Sequence, residues 1–317
     1  MFITILLFFL GFYILIKGSS FITDGAANLA RQLNISTWVI GLVIVGIGTS
    51  VPEFSITLIS NFFGREGIAL GTIIGSNTFN ILFILGVSAV FFPLTFKERW
   101  VKRDLVWNIF AVLAALLVAT YSLYGGENSI ISRTEGLVLL TLFCVWIYYS
   151  LKRPDDTSVD AGSTRAFTLP VVIFMIFMGL AGVIFGGKWV VDGAVVIARD
   201  LGLSERLIGL TIIGIGTSLP ELVVSLTAAC KKQVGIAVGN IIGSNIFDFL
   251  MILGFGAVLS PIAFPPELYV DIWVTFVAAT ILIASMFIGK KATLTRTKGT
   301  IFILMYLAYI AYLAIRG

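Results

Sequence analysis

Glu53 and Glu221 are carboxylates set in apolar sequence, and each closes the same kind of stretch. The first reads Gly46-Ile47-Gly48-Thr49-Ser50-Val51-Pro52-Glu53. The second, 168 residues later, reads Gly214-Ile215-Gly216-Thr217-Ser218-Leu219-Pro220-Glu221. An ionised side chain near a bilayer centre costs several kcal/mol unless it is solvated or paired. Pro52 has no N–H, so the carbonyl of Gly48 loses its helical partner. Positions 46, 49, 50 and 53 follow i, i+3, i+4, i+7, which sets the glycine, two hydroxyls and the carboxylate on one helix face. Such a face is rich in oxygen and suits a hard cation. A proline kink with small residues for close packing would account for one copy. It does not account for a carboxylate in both.

A second pair of stretches carries further oxygen ligands. Thr72, Ser76 and Asn80 are spaced i, i+4, i+8, and Asn240, Ser244 and Asp248 stand at the matching positions. Ser76 or Ser244 alone would read as a helix–helix hydrogen bond. Asp248 demands more, because a carboxylic acid in an apolar span must be neutral, paired or beside an ion. Asn80 holds its place in the other half, so a protonated Asp248 would make the two halves nearly alike. Asn77 and Asn245 fall one position on, toward another face, and read as structural. Lys17, Asp24 and Arg31, like Lys188 and Asp192, read as span ends with snorkelling or paired side chains.

The elements that must position these residues are membrane helices. Of 317 residues 58% are hydrophobic and 12% charged, which excludes an ordinary soluble domain. The net charge of +4 is spread over short loops and does not point to nucleic acid. No histidine is present, which removes imidazole relays and ligands. Cys144 and Cys230 form no ligand pattern and read as packing residues. The N-terminus lacks a basic n-region, so the first apolar segment is expected to be retained.

Ten apolar segments of spanning length follow: 2–29, 35–62, 67–93, 104–124, 131–151, 168–197, 204–230, 234–260, 267–288 and 298–315. The longest polar connection, Lys152 to Ala166, divides them into two sets of five. Residues 11–86 match 179–254 without a gap at nearly half of all positions. Because five is odd, the second copy must enter the membrane from the opposite side. The fold class expected is thus an all-α membrane protein, ten transmembrane helices as two inverted five-helix repeats. Repeat one is 1–151 with its motif region at 35–92, a short cytoplasmic linker is 152–167, and repeat two is 168–317 with its motif region at 203–260. Inverted repeats with broken helices mark secondary transporters, with the site at the midplane. An N-terminus outside places the Lys97–Arg103, Lys152–Arg165, Lys231–Lys232 and Lys290–Lys298 clusters inside. It leaves Arg65, Arg133, Arg199, Arg206 and Arg316 outside, so the positive-inside rule favours both termini outside a cell membrane.

Two GTSxPE stretches, each followed by GSN-x-x-[N/D], resemble the sodium/calcium exchangers of the calcium/cation antiporter superfamily, and the resemblance spans essentially the whole chain. It implies four ion sites. Glu53 and Glu221 would be shared Ca²⁺ and Na⁺ ligands, and Thr49 and Thr217 would lend backbone carbonyls to Ca²⁺. Ser50, Ser76, Ser218 and Ser244, with the carbonyls of Gly46 and Gly214, would form Na⁺ sites, and Asn80 and Asp248 would flank the middle. The resemblance also implies three Na⁺ exchanged per Ca²⁺, and the first and sixth spans sliding as a pair. Gly46 and Gly214 stand where some prokaryotic relatives have alanine. The short central loop leaves no room for the regulatory domains of animal exchangers.

Competition of Na⁺ and Ca²⁺ for one set of carboxylates is a sufficient basis for exchange by alternating access. H⁺/Ca²⁺ antiport through Glu53, Glu221 and Asp248 is the nearest alternative, and the surrounding hydroxyls and amides favour Na⁺, since a proton needs no cage. A cation channel fits the repeat poorly. A membrane enzyme lacks any nucleophile–base pair or cofactor motif. The expected partners are the two ions and the lipid bilayer, with no cofactor.

Overall fold

The computed structural model describes residues 2–120, 130–152, 166–202 and 214–316. In lipid the backbone must satisfy its own hydrogen bonds, so apolar runs of this length become helices. They form α1 (Phe2–Leu33), α2 (Thr37–Thr49), α3 (Val51–Phe62), α4 (Glu66–Phe91), α5 (Glu98–Thr120), α6 (Arg133–Lys152) and α7 (Leu169–Asp200). After a single turn at Gly214–Gly216 come α8 (Leu219–Cys230), α9 (Val234–Leu259), α10 (Pro266–Ser285) and α11 (Arg296–Arg316). Among the described residues 8 helices are long and apolar enough to span, or 9 when α2 and α3, bent by 45°, count as one. The expected segment 204–230 falls partly outside the described residues; its remainder is the Gly214–Gly216 turn and α8. The protein is an all-helical membrane fold, apart from four two-residue strands that apolar periodicity does not announce. Leu94–Thr95 pairs antiparallel with Thr293–Leu294, and Ile130–Ile131 with Ile262–Ala263.

Without a hydrophobic force between helices in lipid, association rests on close packing at small residues. α1 and α7 pack mainly on each other. Glycines spaced by seven form the seam: 11, 18 and 25 on α1, and 179, 186 and 193 on α7. A Cβ on Gly11 would meet the carbonyl of Gly186 at 2.9 Å, and one on Gly18 that of Gly179 at 2.8 Å. Since 179 and 186 are 11 and 18 advanced by 168, the contacts are reciprocal. The outer faces of both helices present large apolar side chains such as Phe9, Phe12, Phe174 and Phe177.

The other helices pack around α2, α4, α8 and α9. Gly235 and Gly239 of α9 bring it against Thr37, Trp38 and Leu42 of α2, and a Cβ on Gly239 would sit 2.8 Å from the Trp38 carbonyl. Behind this contact Trp38 stacks on Trp100 at 4.2 Å and donates its indole N–H to Asp104 at 2.8 Å. Three stretches widen to π-helix: Gly41–Val45, Asn80–Ile84 and Phe247–Ile252. Such bulges recur at functional positions, and two of them begin at or beside Asn80 and Asp248.

Candidate cation site

The repeated stretches break their helices at the same point. Ser50 leaves helical geometry at φ −79°, ψ 10°, and Ser218 does so at φ −90°, ψ 9°. Pro52 and Pro220 then enter the first turn of α3 and α8, where a missing N–H costs nothing. The carbonyls ending the preceding turns lose regular partners, and Glu53 and Glu221 project from the first turn after each break.

The two halves cross-connect here. The Ser50 hydroxyl donates to Glu221 Oε1 at 3.4 Å, and the Ser218 hydroxyl donates to Glu53 Oε1 at 3.5 Å. Both glutamates are 1% exposed, and Oε2 of each is buried with no partner. The ion pairs Arg103–Asp104, Lys231–Asp24, Arg316–Asp271, Lys188–Asp192 and Lys102–Glu98 lie elsewhere. Two carboxylates are thus buried and joined to hydroxyls, and none of these pairs brings a cation to them.

A second tier lies on α4 and α9. The Asn77 amide donates to Asp248 Oδ2 at 2.8 Å, and the Ser76 hydroxyl to the same oxygen at 3.4 Å. In the matching arrangement Asn80 donates through Nδ2 to Asn245 Oδ1 at 3.0 Å. Asp248 Oδ1 and Asn80 Oδ1 remain buried and unpartnered. Asn77 thus shares Asp248 Oδ2 with Ser76, and Asn245 accepts from Asn80, so both meet the flanking pair instead of turning to another face. Ser244 donates to the Gly46 carbonyl at 3.0 Å, and Thr49 donates to Asn240 at 2.9 Å. Asn240 in turn donates to Ser225 at 2.9 Å and to the Glu221 carbonyl at 3.3 Å, bracing the second break. Sequence reasoning placed Asn240 on the right face without finding this role. The signal was its own spacing from Ser244.

Ser50, Ser76, Ser218, Ser244, Thr49, Glu53, Glu221, Asn80, Asp248 and Gly46 thus come together. Gly214 opens the turn before Ser218. Thr217, half-buried, lines a cavity with Ser76. Thr72 does not join them. Its hydroxyl bonds its own helix at the Ile68 carbonyl, 2.8 Å away, on the cavity wall.

Among the described residues no three acidic side chains converge into a metal cage. A cation here must take two carboxylates plus neutral oxygens. No imidazole or sulfur ligand is offered, so the donor set fits hard cations such as Na⁺ and Ca²⁺ and not metals that favour histidine or thiolate. The unpartnered oxygens are those a passing ion would satisfy.

A cavity of about 460 Å³ has Ser76 and Thr217 of this site in its lining. Along it lie Gly67, exposed, with Gly71 and Gly75, half-buried. Their counterparts Gly235, Gly239 and Gly243 are buried against α2.

Comparison with known proteins agrees with this geometry. The "Putative antiporter CaxA" of Alkalimonas amylolytica is 35% identical over 94% of this chain and 95% of its own. "Sodium/calcium exchanger MaX1" of Methanosarcina acetivorans is 26% identical over 98% of each chain. A solved structure of the sodium-calcium exchanger NCX_Mj, soaked with zero Na⁺ and Ca²⁺, superposes with a TM-score of 0.83 at 32% identity, covering 98% of both chains. The sequence profile of the family described as "Sodium/calcium exchanger protein" matches residues 3–152 and 171–315. The protein is a multi-pass membrane protein that belongs to the sodium/calcium exchanger family.

Proposed function

We propose that this protein exchanges Na⁺ for Ca²⁺ across the cell membrane by alternating access, with both termini outside and ten spans arranged as two inverted five-helix repeats. The observation that carries the reading is the Glu53–Glu221 pair, with a buried oxygen on each left without a partner. Ca²⁺ takes about six to eight oxygens. The two carboxylates supply most of the charge, and carbonyls of the broken turns at Thr49 and Thr217 complete the set. When Ca²⁺ leaves, bare carboxylates in a medium of low dielectric repel each other. The empty carrier therefore resists crossing, which couples the two ions. Na⁺ relieves the repulsion and adds hydroxyl ligands from Ser50, Ser76, Ser218 and Ser244, with the carbonyls of Gly46 and Gly214. Asn80 and Asp248 flank the centre. Asp248 acts as a neutral acid matching Asn80, and the surrounding hydroxyl and amide side chains favour Na⁺ over the proton as counter-ion.

The access change is a slide of the α1–α7 pair. The support is that these helices pack mainly on each other and present apolar faces outward. Among the described residues, polar ties to the rest run through Lys231, which bonds Asp24 and Ser20, and through Ser19. The Lys231–Asp24 pair at 2.8 Å and the Ser19–Thr227 hydrogen bond at 2.8 Å would have to part during the slide.

Three Na⁺ per Ca²⁺ moves one net charge, so a membrane potential contributes about 2.3 kcal/mol per 100 mV to each turnover. With Na⁺ entering a negative interior, the cycle expels Ca²⁺. In Na⁺-loaded proteoliposomes under a valinomycin clamp, a lumen-positive potential is expected to accelerate ⁴⁵Ca²⁺ uptake. Uptake indifferent to potential would mean electroneutral exchange.

A further inference from the structure

The cavity has a second wall that the ion site does not use. Leu268, Asp271, Tyr309 and Arg316 of α10 and α11 stand on it, while Ser76 and Thr217 of the site lie in the same lining. Asp271 and Arg316 are the charged side chains among its described lining residues. They are bonded to each other: Arg316 Nη2 lies 2.8 Å from Asp271 Oδ2. Tyr309 donates its hydroxyl to Asp271 Oδ1 at 3.1 Å, and Arg316 Nη1 donates to the Glu267 carbonyl at 3.1 Å. The aspartate side chain is 4% exposed and the arginine 31%. A guanidinium therefore lines the cavity that Ser76 and Thr217 also line, paired with a buried carboxylate.

Uncompensated, that guanidinium would oppose arriving cations, because a cleft with low-dielectric walls concentrates the field of any charge lining it. We infer that Asp271 and Arg316 set the potential of this ion route. Asp271 cancels Arg316, and the balance between them determines how readily a cation enters from this side, a divalent one above all. The inference rests on reading Glu53 and Glu221 as the Ca²⁺ site. Neither residue touches the bound ion; both act through the field.

Two charge-removing variants must then have opposite signs. Asp271→Asn keeps the shape and leaves Arg316 positive in the cavity. The KM for Ca²⁺ presented on the cavity side is expected to rise about three- to tenfold at low ionic strength. The factor for Na⁺ is the square root of that for Ca²⁺, since the Boltzmann exponent scales with ionic charge. Arg316→Gln leaves Asp271 uncancelled and lowers the Ca²⁺ KM. The double variant returns close to the unmodified protein. Added choline chloride shrinks every shift by screening.

The measurement is initial-rate ⁴⁵Ca²⁺ uptake against Ca²⁺ concentration in sealed right-side-out and inside-out vesicles. The shifts should occur for one vesicle orientation only, with little change in kcat. Single variants that move KM in the same direction, or a double variant that fails to restore it, would assign the pair a merely structural part and overturn the inference. Unchanged KM in both single variants would overturn it too. If Asp271→Asn does not fold, the lowered KM and salt dependence of Arg316→Gln decide alone. Absence of any uptake by the unmodified protein would instead refute the calcium-site reading beneath it.

Discussion

Gly235, Gly239 and Gly243 of α9 are sealed against α2, whereas Gly67, Gly71 and Gly75 of α4, the same residues 168 positions earlier, have no described atom within reach of an added Cβ. Sequence treats the two faces alike. Packing does not. One face closes its side of the Glu53–Glu221 site, and the other lines a cavity of about 460 Å³ that Ser76 and Thr217 of this site also line. Under the proposed exchange, a carrier open to one side would hold the two copies of its motif in unlike surroundings. On the proposed alternating access, the α4 face would close, and the α9 face would open, in the other half of the cycle.

The largest effect is expected where both regions meet. Glu53→Gln or Glu221→Gln keeps the shape but removes a charge that Ca²⁺ needs, so each should abolish ⁴⁵Ca²⁺ transport while leaving the protein extractable and folded. Near-normal transport by either variant would separate the site from the two faces.

Alanine at the matched glycines sharpens the comparison. A Cβ at Gly239 would meet the Trp38 carbonyl at 2.8 Å and the Leu42 amide at 3.0 Å. Overpacking of this kind costs about 1–3 kcal/mol, so Gly239→Ala should lower the melting temperature in detergent. A Cβ at Gly71 meets no described atom within 4 Å, so Gly71→Ala is expected to leave melting unchanged, yet slow turnover if the proposed closure of this face occurs. Equal melting shifts in both would break the comparison.

Cysteine labelling tests the same contrast more gently. Ile68 is 51% exposed and its counterpart Ile236 is 0% exposed. With Cys144 and Cys230 replaced by serine, Ile68→Cys should react with a membrane-impermeant thiol reagent added outside intact cells, and Ile236→Cys should not. Reaction of Ile68→Cys only from the cytoplasmic side would reverse the proposed orientation.

The smallest effect concerns the residue that distinguishes the halves chemically. Asp248→Asn should reduce transport mildly, because a neutral Asp248 already resembles Asn80. Loss of activity as complete as in Glu221→Gln would make Asp248 a charged ligand.

The candidate site was legible because membrane sequence rarely tolerates carboxylates, and two identical settings for them leave little room for accident. Spacing alone put Ser76 beside Asn80 and Ser244 beside Asp248. Long-range contacts were less legible. Nothing local says that the Asn77 amide reaches Asp248 across 171 residues, or that Asn240 braces α8. Thr72 shares a face with Ser76 but stands one turn farther from Asn80, and its hydroxyl stays with the Ile68 carbonyl. The π-helical stretches escaped because a bulge adds one residue to a turn without altering composition. α5 begins at Glu98, six residues before the expected 104, because the Lys102–Glu98 pair at 2.6 Å supports a polar first turn outside the apolar run. The glycine seam of α1 and α7 went unread in the sequence, because a spacing of seven gains meaning only from the reciprocal contacts.

The most direct test is ⁴⁵Ca²⁺ uptake by purified protein in proteoliposomes loaded with either Na⁺ or choline, at clamped pH and potential. Two carboxylates shared between the ions predict rapid uptake into Na⁺-loaded vesicles and almost none into choline-loaded ones. Equal uptake in both, or uptake driven as well by a pH gradient without Na⁺, would contradict sodium–calcium exchange at Glu53 and Glu221.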